Sequence, residues 1–166
     1  ILLSSVLLSF VSCHDDDEKT SWKTENENAY NAKASDTSYV AVTLPAYSKP
    51  PIYCKVLKKG TGTIHPYETS KVKFLYKGSL IDSTVVFTGT SETDVPIEEY
   101  VNDLYISSSI SFPVGVEIAL QNMVAGDKWE IWIPQELAYG SSSVSTAIPA
   151  YSTLVFEIEL VSITDL

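Results

Sequence analysis

The chain has 166 residues, an apolar fraction of 45% and a formal net charge of −10, because 21 acidic residues outweigh 11 basic ones. This length allows one ordinary domain with a tail, and the apolar content suffices for a buried core. All 11 basic residues are lysine. An acidic chain without arginine is a poor candidate for binding nucleic acid or for adsorbing to an anionic membrane surface.

Residues 1–12 form an uncharged apolar run. Cys13 follows directly, and the acidic run 15–18 comes soon after it. The apolar run is too short to span a bilayer and has the length of a signal-peptide core. A small residue and a cysteine at its end resemble a bacterial lipoprotein signal. We expect cleavage before Cys13, lipid on that cysteine, and anchoring in the outer membrane of the cell envelope, facing the periplasm or the surface. The alternative is an ordinary signal peptide with an incidental cysteine.

Residues 13–51 are polar and predict a tether between this anchor and a folded domain. Ser21 suits the N-cap of a short helix starting at Trp22. Three prolines then predict an extended linker; they are Pro45, Pro50 and Pro51.

The domain is expected over residues 52–166, and its first half contains three strand candidates. They cover 52–57, which includes a buried Cys54, then 71–76 and 80–87, with a turn at Asp82. The connection from 88 to 109 is long and has partly helical spacing. Its apolar residues predict a short helix packed on the domain; they are Ile97, Tyr100, Val101, Leu104 and Tyr105.

The second half predicts a strand, one helix and two further strands. The helix covers 116–123 and follows a strand over 110–114. The last two strands alternate strictly, with Trp129, Ile131 and Ile133 on one face of the first. In the second, 153–162, the inward residues are Leu154, Phe156, Ile158 and Leu160. The fold class is therefore α+β, an antiparallel sheet of about five to six strands wrapped around one short helix, with a helical insertion and an N-terminal tether.

The sequence offers no arrangement of residues suited to hydrolysis or to metal binding. His14 lies in the tail, and His65 lies in a turn, where a solvated histidine is far commoner than a ligand or base. No serine stands in a nucleophile elbow. We expect no metal and no cofactor.

Several short pieces follow one another in a particular order over about 52–163: Gly60 and Gly62, the run from Val72 to Leu80, the Ala138-Tyr139-Gly140 turn, Ile148-Pro149, and the ending from Leu154 to Leu160. Together they resemble the FK506-binding class of peptidyl-prolyl isomerases. Each piece is weak alone, but their order and spacing together are specific.

The resemblance implies a pocket for a proline ring. Its apolar wall would be formed by Tyr76, Phe87, Tyr139, Ile148 and Phe156. One further family Phe corresponds to either Ile110 or Phe112. The Asp that follows the pocket Phe in the family is Thr88 here, and the Trp of the pocket floor is Val116.

The implied function is cis–trans isomerisation of X–Pro bonds in exported polypeptides. Amide resonance sets a barrier of ~18–20 kcal/mol, and a dry apolar pocket favours the twisted amide without any nucleophile. The resemblance assigns the Tyr139 hydroxyl and the Ile148 N–H as donors to the substrate. Replacing Trp by Val removes about 1–3 kcal/mol of contact, so the alternative is a weakly active or inactive domain that binds peptides. The helix expected at 97–105 could then cover the missing floor.

Overall fold

The computed structural model describes residues 14–87, 89–90, 95–104, 111–143 and 145–166. The signal-peptide prediction and the lipidation prediction at Cys13 lie outside these residues. Within them the chain forms one antiparallel sheet and two α-helices, α1 (His14–Asn31) and α2 (Val114–Asn122). The strands are β1 (Val40–Leu44), β2 (Tyr47–Lys58), β3 (Lys71–Leu80), β4 (Val85–Phe87), β5 (Ile97–Tyr100), β6 (Lys128–Ile133) and β7 (Leu154–Asp165).

The sheet has seven strands in the order β1-β2-β6-β7-β3-β4, with β5 also paired to β3. This confirms the α+β class and adds strands to the expected number. β7 pairs with the full length of β3, so β4 and β5 share the other edge of that strand. β4 pairs with Gly78 and Ser79, whereas β5 pairs with the stretch from Lys71 to Phe74.

The inner face of the sheet forms the core, as the alternation predicts. Every second side chain of β3, β6 and the first half of β7 is buried. α2 lies against this face, and five of its residues are buried. A Cβ on Gly115 would lie 2.5 Å from Cγ2 of Ile133, so glycine allows the helix to approach β6 closely.

The N-terminal segment is not a free tether. α1 begins at His14, ahead of the expected cap at Ser21. β1 pairs with β2, which starts at Tyr47, so the boundary expected at Ile52 falls inside a strand. The linker prediction from Pro50 and Pro51 is wrong, because both residues lie within β2. β6 pairs with β2 only from Tyr53 onward, and proline is tolerated where no ladder bond is needed.

The helix expected at 97–105 is also wrong over its described part. Ile97–Tyr100 is strand β5, and Val101–Asp103 is a single 3-10 turn. Pairing with the free edge of β3 supplies backbone hydrogen bonds that outweigh the weak helical spacing. Val101 and Leu104 are still buried against the core, and Tyr105 lies outside the described residues.

The strand expected over 110–114 does not form where the structure describes it. Residues 111–113 have no regular structure, and Val114 already starts α2. Pro113 occupies the N-cap, with extended backbone angles. Among the described helices, none combines the length and apolarity needed to cross a membrane.

Candidate functional site

An aromatic cluster occupies the space between β3, β7 and the start of α2. The ring of Phe112 lies at its centre, 4.7 Å from the ring of Tyr76 in an edge-to-face arrangement and 5.7 Å from that of Phe74. Its centroid is 6.5 Å from that of Phe156. Such geometries are favourable beyond the area they bury. Three of the residues expected to form the pocket therefore meet at one place.

The first turn of α2 belongs to the same hydrophobic core as this cluster. Val116 is fully buried, and so is Phe156, whereas Tyr76 and Phe112 expose only 2% and 1% of their surface. These side chains are packed against one another. A proline ring can reach them only if the cluster opens or a neighbouring side chain moves aside.

The chain that follows β4 lies against the middle of β3. A Cβ on Gly89 would come within 1.6 Å of the carbonyl oxygen of Tyr76, so no other residue fits there without a backbone shift. The N–H of Tyr76 donates to Oγ1 of Thr90 at 3.2 Å. Phe87 pairs through its backbone with Gly78. The side chain of Phe87, and Thr88 altogether, lie outside what the structure describes.

Tyr139 lies at the rim and follows a 3-10 turn at Gln135–Leu137. Its hydroxyl donates to the carbonyl oxygen of Ser111 at 2.5 Å, and its ring packs on the core. Ser111 immediately precedes Phe112, so this bond joins the rim to the centre of the cluster. The candidate donor is thus engaged with the backbone in this structure.

Ile148 lies on the loop that leads into β7 and is 5% exposed. Its N–H donates to the carbonyl of Ser145 at 3.2 Å. Both donors that the resemblance assigns to the substrate therefore have partners within the chain. Ile110, the alternative to Phe112, lies outside the described residues, and Phe112 is the one found in the cluster.

No acid–base or nucleophilic constellation accompanies the cluster among the described residues. Burial raises the pKa of the Tyr76 hydroxyl further above neutral pH, so this group does not act as a base. Burial likewise raises the pKa of the Cys54 thiol, so this free cysteine is not a reactive thiolate. The described part of the chain contains no group of three or more His, Cys, Asp or Glu residues able to hold a metal. The chemistry available is that of an apolar surface with a few hydrogen-bond donors.

Sequence reasoning missed two features of this site. Alternation marked Phe74 as core, but not as a member of the aromatic cluster. The carbonyl of Ser111 accepts a hydrogen bond from Tyr139 and the hydroxyl of Thr90 accepts one from the N–H of Tyr76, and the predicted strands and helix imply neither bond. Gly89, two residues after β4, is a sequence signal of close backbone approach.

Comparison with known proteins places this arrangement in a class. The family model for FKBP-type peptidyl-prolyl cis-trans isomerases matches residues 62–161. The solved isomerase from Pseudomonas syringae pv. tomato superimposes with a TM-score of 0.70 at 25% identity, covering 87% of this chain and 95% of that one. FkpA from Escherichia coli gives a TM-score of 0.72 at 25% identity, over 90% of this chain and 62% of that one.

The chain belongs to the FKBP-type peptidyl-prolyl cis-trans isomerase family. Among curated proteins, the FKBP-type 22 kDa isomerase of Escherichia coli is 43% identical over 109 residues, which is 66% of this chain and 48% of that protein. The outer membrane protein MIP of Legionella longbeachae is 38% identical over 109 residues, covering 66% and 42% respectively. The matched region thus spans about half the length of these curated relatives or less.

Proposed function

We propose that this domain catalyses cis–trans isomerisation of X–Pro bonds in polypeptides. The observation that carries the proposal is the convergence of Tyr76, Phe112 and Phe156 in one aromatic cluster, with Tyr139 and Ile148 beside it. The family match supports the same reaction. Phe87 and Thr88 are assigned to the pocket by the resemblance alone.

The proposed mechanism uses position and environment rather than covalent chemistry. The proline ring enters among the aromatic rings, and the apolar surroundings favour the twisted amide over the planar one. The hydroxyl of Tyr139 changes its acceptor from the carbonyl of Ser111 to a substrate carbonyl. The exchange replaces one hydrogen bond by another, so it costs little free energy. The N–H of Ile148 would exchange its bond to Ser145 in the same way.

A second candidate is a peptide-binding domain with little or no catalysis. It is favoured by the near-complete burial of Tyr76, Phe112, Phe156 and Val116. A valine floor contacts less of a proline ring than the family's tryptophan does. Such a domain would bind proline-containing segments without accelerating their isomerisation.

An X–Pro isomerisation assay on the whole chain separates the two candidates. We expect a rate above the uncatalysed background, and a roughly tenfold lower kcat/KM for Tyr139→Phe, because a lost transition-state hydrogen bond is worth on the order of 1.5 kcal/mol. Tyr67→Phe is the matched control, since Tyr67 is 65% exposed and lies outside the cluster.

Background rates for the folded wild-type chain would remove the enzyme proposal. Binding of a proline-containing peptide, measured by calorimetry, would then support the second candidate. Equal activities of Tyr139→Phe and Tyr67→Phe would mean that the reaction does not use the rim hydroxyl.

We infer further that the domain resides in the cell envelope, exported by residues 1–12 and attached by lipid at Cys13. The switch from an apolar to an acidic sequence at Cys13 supports this, as does similarity to a protein named as an outer membrane protein. Its substrates would then be exported polypeptides. Mass spectrometry of the processed N-terminus should find acyl chains on Cys13, and Cys13→Ser should move the protein to the soluble fraction. Unmodified Cys13 in the membrane fraction would contradict the anchor.

A further inference from the structure

One face of α1 is attached to the loop that carries Ile148. Trp22, Asn26 and Tyr30 recur at intervals of four residues and so lie along the same side of the helix. The hydroxyl of Tyr30 donates to the carbonyl of Pro51 at 2.6 Å, and its ring lies 5.0 Å from that of Tyr53. The C-terminal part of this face is therefore fixed to β2.

Asn26 is the central contact, and it is completely buried. Its Oδ1 accepts the N–H of Thr153 at 2.7 Å, and its backbone carbonyl accepts the Thr153 hydroxyl at 3.2 Å. Its Nδ2 donates to the carbonyl of Trp22 at 2.9 Å. A buried amide with all of these bonds made holds its partners in one geometry, because any displacement leaves polar groups unpaired.

Trp22 reaches the same loop by a second route. Its Nε1 donates to Oγ of Ser152 at 3.3 Å, and that hydroxyl donates to the carbonyl of Pro149 at 2.7 Å. Pro149 is the residue directly after Ile148. A continuous set of hydrogen bonds therefore connects the helix to the pocket side of the loop.

Tyr151 lies in this loop between Pro149 and Ser152, and its backbone is strained. Its φ is +64°, a conformation that bulky residues rarely adopt. Lys19 and Lys23 of α1 place their Nζ atoms 5.5 Å and 4.9 Å from its ring centroid. Its N–H donates to the carbonyl of Gly140 at 2.8 Å, directly after Tyr139. Strain of this kind persists only where the surroundings hold the residue in place.

We propose that α1 is a positioning element of the isomerase pocket, acting through Trp22 and Asn26. The two residues set the positions of Ile148 and Tyr139 relative to the aromatic cluster. This role rests on the proposed function. They do not touch the substrate. Loosening the loop lets the wall of the pocket move, which weakens capture of the proline segment.

Three variants of the 166-residue chain test this role. Asn26→Ala removes both side-chain bonds, and Trp22→Phe removes the Nε1 donor while keeping an aromatic ring. Thr24→Ala is the matched control, because Thr24 is exposed on α1 and its hydroxyl donates to the carbonyl of Thr20, within the same helix. We expect KM for an X–Pro peptide to rise about tenfold in Asn26→Ala and about threefold in Trp22→Phe, with Thr24→Ala unchanged.

The split between KM and kcat distinguishes positioning from a purely structural role. A merely less stable domain would lower the active fraction, which lowers the apparent kcat and leaves KM unchanged. Wild-type KM in a folded Asn26→Ala variant would overturn the inference. If Asn26→Ala does not fold, the KM of Trp22→Phe decides in the same way.

Hydrogen exchange supplies a readout that does not depend on catalysis. The amides of Ile148 and Tyr151 bond to Ser145 and Gly140, not to α1. We expect both to exchange at least about tenfold faster in Trp22→Phe and Asn26→Ala, because local opening of the loop becomes easier. Unchanged protection of both amides would refute the positioning role. An inactive wild-type chain would refute the proposed function instead, and this exchange measurement would still decide the inference.

Discussion

Two sides of the candidate pocket are held in different ways. The side formed by β3 and α2 is held by apolar packing, with Phe112 in contact with Phe74, Tyr76 and Phe156. The side formed by residues 139–143 and 145–153 is held by hydrogen bonds, and those of Ser152 and Thr153 reach α1. Packing fills volume and tolerates substitutions that conserve it, whereas a hydrogen-bond network requires particular atoms at particular places.

This difference indicates which side can vary without loss of the fold. The packed side contains Phe112 and Val116, both buried, and the resemblance assigns Val116 to the position of the family's Trp. The hydrogen-bonded side contains Tyr139 and Ile148. We expect substitutions on the packed side to act first on stability, and those on the hydrogen-bonded side to act first on function.

The largest expected effect is at the centre of the packed side. Phe112→Ala should lower the free energy of unfolding by about 3–5 kcal/mol, because it removes a buried ring and leaves a cavity. Urea denaturation followed by circular dichroism measures this. Phe112→Leu keeps most of the volume and should cost less than about 1.5 kcal/mol. Equal losses in both variants would mean that the aromatic contacts, rather than filled volume, stabilise this side.

A smaller effect on stability is expected at Gly89, in the segment after β4 that lies against β3. Gly89→Ala should cost about 2–3 kcal/mol, because its Cβ would overlap the carbonyl of Tyr76 and displace the segment that bears Thr90. Gly140→Ala is the matched control. Gly140 has φ +62° but no atom within 4 Å of a Cβ, so only about 1 kcal/mol of backbone cost applies. The same denaturation series compares them, and a cheaper Gly89→Ala would refute the close approach.

On the hydrogen-bonded side, Tyr139→Phe should cost only about 0.5–1.5 kcal/mol in stability, the net value of one hydrogen bond. Its roughly tenfold loss of kcat/KM should exceed what this destabilisation explains, because a stable domain remains folded in the assay. A stability loss as large as that of Phe112→Ala would place Tyr139 among the packed residues instead.

The smallest effect concerns a carboxyl group at the start of α2. Burial, and then the charge of Glu68, raise the pKa of Glu117. The unfolded chain therefore loses this proton at lower pH than the folded chain, so the free energy of unfolding falls as pH rises from the unfolded to the folded pKa. Glu117→Gln should stabilise the domain at pH 7 by at most about 0.5 kcal/mol. The gain should vanish in denaturation at a pH below the ordinary pKa of glutamate, and a gain that persists there would exclude an ionic cause.

Much of the fold can be predicted from particular residues. The strict alternation in β6 and β7 and the apolar face of α2 are sufficient to predict these three elements. Burial on one face imposes a period that is visible in the sequence. The region of β5 is different. Its apolar residues have helical spacing, but residues 97–100 pair with the edge of β3 and form a strand; the residues with this spacing are Ile97, Tyr100, Val101 and Leu104. The sequence of α1 indicates a tether rather than a docked helix, because its docking face contains one buried asparagine in place of a continuous apolar stripe.

The sequence by itself therefore determined the family, and the resemblance predicts which residues form one pocket wall. Ordered short motifs and alternating strands are visible in a linear pattern, and from this pattern Tyr139, Ile148 and Phe156 are predicted to belong to that wall. Only the tertiary structure decided that Phe112 stands at the centre of the aromatic cluster, that Gly89 lies against β3, and that α1 is bonded to the pocket loop. These contacts join residues far apart in the chain, such as Asn26 and Thr153, through directional hydrogen bonds that leave no periodic trace in the sequence.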